Sequence, residues 1–400
     1  MNKKVIMVMP VMKGGGAERV AALLLNEFRK NGYDCEFVLT SMKSKDIINC
    51  DLDEQITVTA IKDTATKPSA FQKLKSKLLR ILSSVICKAF EGLKLATPAS
   101  FAYLSFVSEY GEEIKLLRKK FTDNPDATVV SFLQPSIPMT LLALRGLENK
   151  VIVSERGNPE RLIKKRYGYK FIDKYYRRAD AVVFQTQDAK NIYPPSVAAK
   201  GTVIFNPIKD NLPEPYTGER EKYITTFCRI SRQKNLSILV DAFAGFNKAI
   251  SGYRLKIIGE PQNEDDKASL AEATALAEKL GITGLIDFMP FSTEVHGQII
   301  RDAIYANSSD YEGMSNAMLE AMAIGMPVVC TDCPIGGARA VIRNGENGFL
   351  TKVGSSEEMC EAFKKIAESK DLSDRLSRNA AKIREELSLE NTAKKWMELL

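Results

Sequence analysis

Short runs of consecutive apolar residues recur along this chain, each followed by a turn and then by apolar residues spaced three and four apart. That rhythm predicts parallel strands buried on both faces and crossed by amphipathic helices. The opening unit is the clearest. Residues 5–9 are apolar, Gly14, Gly15 and Gly16 make a turn, and Val20, Leu23, Leu24 and Phe28 line one helical face that stops at Gly32. Further strand-like runs fall at residues 36–40, 128–132, 151–154 and 181–185, and Gly201 to Pro207 closes this half. Residues 206–220 are rich in proline and charge, as a linker between domains would be.

A second series follows, with strands expected at 223–228, 254–258, 285–289, 303–306, 328–331 and 348–351 and helices near 236–249, 267–280, 317–324 and 357–368. The reading is two doubly wound α/β domains in series. We assign residues 1–206 to the first, 207–380 to the second, and residues 381–400 to a helical segment packing back on the first. Locally, Ser355-Ser-Glu-Glu358 predicts a capping box, and Gly325 followed by Pro327 a helix stop.

Composition narrows the function classes. The 400 residues hold 57 Lys and Arg against 50 Asp and Glu, a net charge of +7 that suits acidic small molecules or anionic lipid and argues against nucleic acid. A single histidine, His296, excludes multi-histidine metal sites and reads as a surface or helix-start residue. Seven scattered cysteines suggest reduced thiols and a cytoplasmic location, and Cys330-x-x-Cys333 without a second pair is a weak metal signal. The apolar run after Met1-Asn-Lys-Lys is too short for a signal peptide or a membrane span.

One stretch breaks the α/β rhythm. Between residues 62 and 94 there are eight Lys or Arg against two acids, interleaved with Phe71, Leu74, Leu78, Leu79, Ile81, Leu82, Val85, Ile86 and Phe90. A basic amphipathic insert, about residues 62–120, can rest on an anionic bilayer. A surface helix packed on its own domain explains the same pattern. Lys88, Glu91, Lys94 and Pro98 exclude a transmembrane span.

Three places could carry chemistry. The Gly15–Gly16 turn between a strand and a helix offers backbone N–H groups to a phosphate, although an unliganded turn would look alike; it is neither a Walker loop nor a dinucleotide fingerprint. Arg229, Arg232 and Lys234 sit beyond a strand's carboxyl end, where cations can neutralise a departing diphosphate in place of a metal. Glu312 and Glu320 flank the start of a helix that Ser315 or Asn316 can cap, and the N–H groups near Met314, Ser315 and Asn316 suit a phosphate or sugar hydroxyl. Two surface glutamates on an ordinary helix share that spacing.

With Arg229 and Lys234, Gly15-Gly16-Ala-Glu-Arg-Val20 and Gly336-Gly337-Ala-Arg339, the Glu312-x7-Glu320 pattern resembles the retaining family 4 (group 1) glycosyltransferases, from about residue 5 to 395. The resemblance implies a GT-B fold: two Rossmann-like doubly wound domains facing across a cleft, with nucleotide sugar on the second domain and acceptor on the first. It implies that Glu320 holds the ribose, Glu312 and the amides of Met314, Ser315 and Asn316 the transferred sugar, and Arg229 and Lys234 the diphosphate, with Phe291 near the base. It also implies same-face transfer without a protein nucleophile, a metal or a cofactor. Many relatives place a histidine in the first domain; here Glu155 or Arg156 occupies that strand end.

The resulting expectation is a hexosyl- or N-acetylhexosaminyltransferase using a UDP-sugar. Its acceptor would be a lipid-linked saccharide in surface-polysaccharide assembly, and its place the cytoplasm, at the inner face of the plasma membrane. Another GT-B enzyme, such as a nucleotide-sugar epimerase or an α-glucan synthase or phosphorylase, and a non-catalytic nucleotide-sugar-binding subunit are the alternatives.

Overall fold

In the computed structural model the opening apolar run is a strand, β1 (Lys4–Met9), buried from Val5 onward. The structure describes residues 3–49, 51–64, 78, 81, 82, 85, 99–157 and 169–400. The chain divides into two units: Met1–Phe205 with Thr392–Leu400, and Asn206–Asn391.

Unit 1 contains β1, β2 (Asp34–Leu39), β3 (Thr57–Ala60), β4 (Thr128–Phe132), β5 (Val151–Glu155), β6 (Ala181–Phe184) and β7 (Gly201–Val203). They form one parallel sheet in the order β3-β2-β1-β4-β5-β6-β7. One face carries Val129, Val151 and Val153 with Tyr176 and Tyr193; the other carries Phe132 and Ile152 with Trp396. Trp396 belongs to the helix Leu389–Met397 and packs its ring 5.4 Å from that of Phe132. The edge strand β3 was missed in the sequence because Thr57-Val-Thr-Ala60 alternates polar and apolar residues instead of forming an apolar run.

Unit 2 contains β8 (Glu221–Phe227), β9 (Arg254–Ile258), β10 (Ile286–Met289), β11 (Asp302–Asn307), β12 (Val328–Thr331) and β13 (Phe349–Thr351). Their order is β10-β9-β8-β11-β12-β13, again parallel. Both sheets therefore reverse direction beside their first strand, at β1/β4 and at β8/β11. Loops leaving the carboxyl ends of two such strands diverge and open the crevice in which α/β sheets bind ligands.

Arg220 ties the linker segment down. Its guanidinium donates to the carbonyls of Asp302, Tyr216 and Gly325 and to the Ser377 hydroxyl. The predicted capping box forms only in part. Ser355 Oγ accepts from the Glu358 amide at 3.2 Å, but the Glu358 carboxylate turns to the Lys352 amide, 2.8 Å away. Most of the basic insert lies outside the described residues. Of it, Leu78, Ile81, Leu82 and Val85 are helical and more than half exposed. No helix among the described residues is long and apolar enough to cross a membrane.

Candidate functional site

The switch point of unit 2 gathers most of the residues singled out above. The loop after β8 makes a turn of 3-10 helix (Arg232–Lys234) and ends on Asn235, whose left-handed backbone (φ +43°) reverses the chain into the helix Leu236–Ala249. Asn235 Nδ2 donates to Asp310 Oδ1 at 2.7 Å, Gln233 Nε2 to the Tyr311 carbonyl at 2.7 Å, and Ser308 Oγ to the Lys234 carbonyl at 2.8 Å. These bonds join the loops leaving β8 and β11.

The outcome of that joining is a direct contact between the Lys234 ammonium and the Glu312 carboxylate. Glu312 also accepts from Ser309 Oγ at 3.0 Å. Burial is the largest single influence on the Lys234 pKa and works to lower it, but the Glu312 charge, the nearby Cys228 and the hydrogen bond to Glu312 together outweigh it and the net shift is upward. The resemblance implied separate roles, Lys234 for the diphosphate and Glu312 for the transferred sugar; the structure pairs the two side chains. Arg229 stands exposed in the same loop.

A narrow pocket opens beside Glu312, lined in part by Asn307, Ser315, Thr331 and Cys333. Its floor explains the Cys-x-x-Cys spacing: Cys330 and Cys333 are free and buried, and Cys333 Sγ donates to the Ser309 carbonyl at 3.0 Å. Gly337 crosses so close to this loop that a Cβ there would fall 1.6 Å from the Gly313 carbonyl oxygen. Only glycine permits that approach.

The helix Asn316–Ala323 starts where the sequence placed it, and of the two predicted caps it is Ser315 whose Oγ accepts from the Met318 amide at 3.3 Å. Asn206, which the sequence reading passed over, fixes the residues before the helix. Its Nδ2 donates to the Met314 carbonyl at 3.2 Å and to Asn316 Oδ1 at 2.6 Å.

Glu320 is 5% exposed and has a partner that the sequence did not foretell. His296 Nε2 lies 2.9 Å from Glu320 Oε2. Of the expectation of a surface or helix-start residue, the second half holds, since His296 is second in the short helix Val295–Ile299, and the first is corrected: it is 5% exposed, turned inward with Val295 and Ile299, its ring edge to face with that of Phe227. Phe291 is 68% exposed, beyond the end of β10.

In unit 1 the glycine turn is already occupied. The Lys13 and Gly15 amides donate to Glu18 Oε2 at 2.5 and 2.8 Å, and Gly16 begins the helix Gly16–Lys30. Of the amides expected to face a phosphate, that of Gly15 is thus capped by a carboxylate, which a Cβ on Gly15 would approach to 3.0 Å.

At the end of β5, Glu155 and Arg156 turn to opposite faces of the sheet. Glu155 receives Gln134 Nε2 at 2.6 Å and the Tyr176 hydroxyl. Burial nonetheless pushes its pKa up to about 7. Arg156 lies on the other face with its guanidinium carbon 4.8 Å from the centre of the Phe132 ring. Burial lowers its pKa to about 9.

Two parallel doubly wound sheets, the second with Glu312 in the loop before a helix, Glu320 within that helix and cations at its switch point, make up the GT-B fold. The fold matches that of Anabaena HepE, crystallised with UDP: TM-score 0.73, 16% identity, 99% of this chain and 98% of that one. Residues 209–383 match the family model "Glycosyl transferases group 1". An uncharacterized glycosyltransferase of Haemophilus influenzae is 24% identical over the whole of both chains. The Campylobacter jejuni N-acetylgalactosamine-N,N'-diacetylbacillosaminyl-diphospho-undecaprenol 4-alpha-N-acetylgalactosaminyltransferase is 24% identical over 272 residues, 65% of this chain and 71% of its own.

Proposed function

We propose that the chain transfers a hexose or N-acetylhexosamine from a UDP-sugar to a lipid-linked saccharide, with retention of configuration and without a metal. The observation that carries this reading is the contact of Lys234 with Glu312 at the switch point of unit 2, one helical segment away from Glu320. Arg229 and Lys234 hold the diphosphate, Glu312 with the amides of Met314, Ser315 and Asn316 holds the transferred sugar, and Glu320 accepts from the ribose hydroxyls. Phe291, exposed on the loop after β10, stacks on the base. To Gly15 and Gly16 of unit 1 we assign a further part in nucleotide-sugar binding, and to Glu155 and Arg156 a part in acceptor binding.

In the reaction the sugar C1–O bond to the diphosphate breaks and the acceptor oxygen bonds to C1 on the same face. The acceptor proton passes to a leaving phosphate oxygen, and UDP departs. The charge that grows on the diphosphate is met by Arg229 and Lys234, the role a metal fills elsewhere. The named C. jejuni relative supports a lipid diphosphate acceptor, and the exposed side chains of Leu78, Ile81, Leu82 and Val85 support a peripheral seat on a membrane.

The test is product analysis with a panel of UDP- and GDP-sugars and a lipid-linked saccharide acceptor. Free UDP in equal amount to a new α-configured glycoside, formed in the presence of a chelator, is the expected result. A C2 or C4 epimer of the donor sugar, a sugar 1-phosphate, or no product with any donor would reject the reading.

A further inference from the structure

A buried guanidinium in unit 1 has no counter-charge among the described residues. Arg156 is 8% exposed, follows directly on the carboxyl end of β5, and its Nε, Nη1 and Nη2 have no hydrogen-bond partner among the described residues. Glu155, its neighbour in sequence, faces the other side of the sheet, where Tyr176 and Gln134 hold it. A buried charge that is neither paired nor hydrogen-bonded is strongly unfavourable, and removing a partner from such a charge is among the most destabilising of changes.

Two further polar groups on that face are also unmatched. Ser154 Oγ, two residues back along β5 and so on the same side as Arg156, has no partner among the described residues. Trp396 Nε1 has none either, and its ring packs on the same Phe132 that the Arg156 guanidinium covers. Arg and Trp only donate hydrogen bonds, and a serine hydroxyl can donate. A set of donors with no acceptor, on the edge where parallel sheets take ligands, is complementary to an oxyanion. The planar fork of Arg, held beside an aromatic ring, suits two oxygens of one such group.

We propose that Arg156 is the docking residue for an oxyanion, phosphate or carboxylate, carried by the acceptor. This rests on the reading of unit 1 as the acceptor side. It assigns the acceptor to an acidic class: a saccharide on a lipid phosphate, or a saccharide bearing acidic groups. The donor's diphosphate has its own cations, Arg229 and Lys234, in unit 2.

The test compares the parent protein with Arg156→Met and Arg156→Lys. Without ligand, Arg156→Met should melt at or above the parent temperature, because an unpaired charge is removed while the packing on Phe132 is kept. A lower melting temperature in both variants would make the residue structural and overturn the proposal. With UDP saturating, inorganic pyrophosphate at about 20 mM should raise the parent melting temperature, Arg156→Met should show no rise, and Arg156→Lys a smaller one. An equal rise in all three, or one reproduced by sodium chloride at matched ionic strength, would overturn it. UDP affinity should agree within about twofold between parent and Arg156→Met. A loss of about tenfold would give the anion to the donor and overturn the acceptor assignment. A parent protein that binds no UDP would instead count against the transferase reading, and the pyrophosphate comparison, run without UDP, would still decide for or against Arg156.

Discussion

His296 Nε2 and Glu320 Oε2 stand 2.9 Å apart, and neither side chain is more than a few per cent exposed. A carboxylate can only accept, so Nε2 carries the proton and the tautomer of the ring is set. The histidine thereby fixes the rotamer of the glutamate assigned to the ribose. Replacing it by phenylalanine keeps the packing against Phe227 and removes the hydrogen bond. His296→Phe should weaken UDP binding about tenfold, roughly the worth of one hydrogen bond to a charged group. His296→Gln, which can still donate, should recover part of that loss. Calorimetric titration with UDP checks both, and equal affinities in all three proteins would separate His296 from the nucleotide site.

Lys234 and Glu312 are each mostly buried and neutralise each other. Removing either partner leaves the other charge with reduced solvation, so Lys234→Met and Glu312→Gln should each destabilise the protein by about 2 kcal/mol. The double variant should lose less than the sum, because the two effects share one interaction. All three should lose transfer activity by about a hundredfold or more, since the growing diphosphate charge loses its cation or the sugar its acceptor. The folded lysine has a raised pKa, so its contribution is complete below the unfolded value and disappears only as strongly alkaline pH titrates the ammonium. Melting temperatures of the four proteins at neutral pH close the cycle, and strict additivity would mean that the contact contributes nothing.

These residues show how much of the molecule could be read from its sequence. The strand-turn-helix rhythm follows from backbone periodicity and from the need to bury a parallel sheet on both faces, and so β9 and β12 fall on the residues expected for them. Glu312, Glu320, Arg229 and Lys234 were visible because their spacing places them at helix and strand ends. The pairing of Lys234 with Glu312 was not visible, since 78 residues separate them and only the parallel register of β8 beside β11 brings the loops together. His296 was placed at a helix start, but its burial was missed, because a five-residue helix has too few turns to show which face is buried. Asn206 looked like part of a linker because its partners lie about 110 residues away.

Gly337 presses against the backbone of Gly313, next to Glu312. A methyl group there would overlap the Gly313 carbonyl oxygen at 1.6 Å, and backbone cannot swing aside as a side chain can. Gly337→Ala should therefore cost about 3 kcal/mol or more and abolish UDP binding at temperatures where the fold survives. Gly284→Ala is the control, because a Cβ at that position meets nothing within 4 Å. The comparison is a thermal melt with and without UDP, and parallel behaviour of the two variants would dismiss the close approach as a constraint.

Glu155 makes unit 1 sensitive to pH in the neutral range. Its carboxyl titrates near 7 in the folded chain against a reference of 4.5, so the folded state holds a proton that the unfolded state has already released. Stability is then greatest below the unfolded value and falls as pH rises from about 4.5 to about 7, by up to about 3 kcal/mol from this one group. Glu155→Gln is neutral at every pH and keeps an oxygen for the Tyr176 hydroxyl and for Gln134 Nε2. The two proteins should melt together near pH 5, and the variant should gain several degrees over the parent by about pH 8. A melting difference that does not change with pH would mean that Glu155 is ionised throughout, and that its hydrogen bonds outweigh burial.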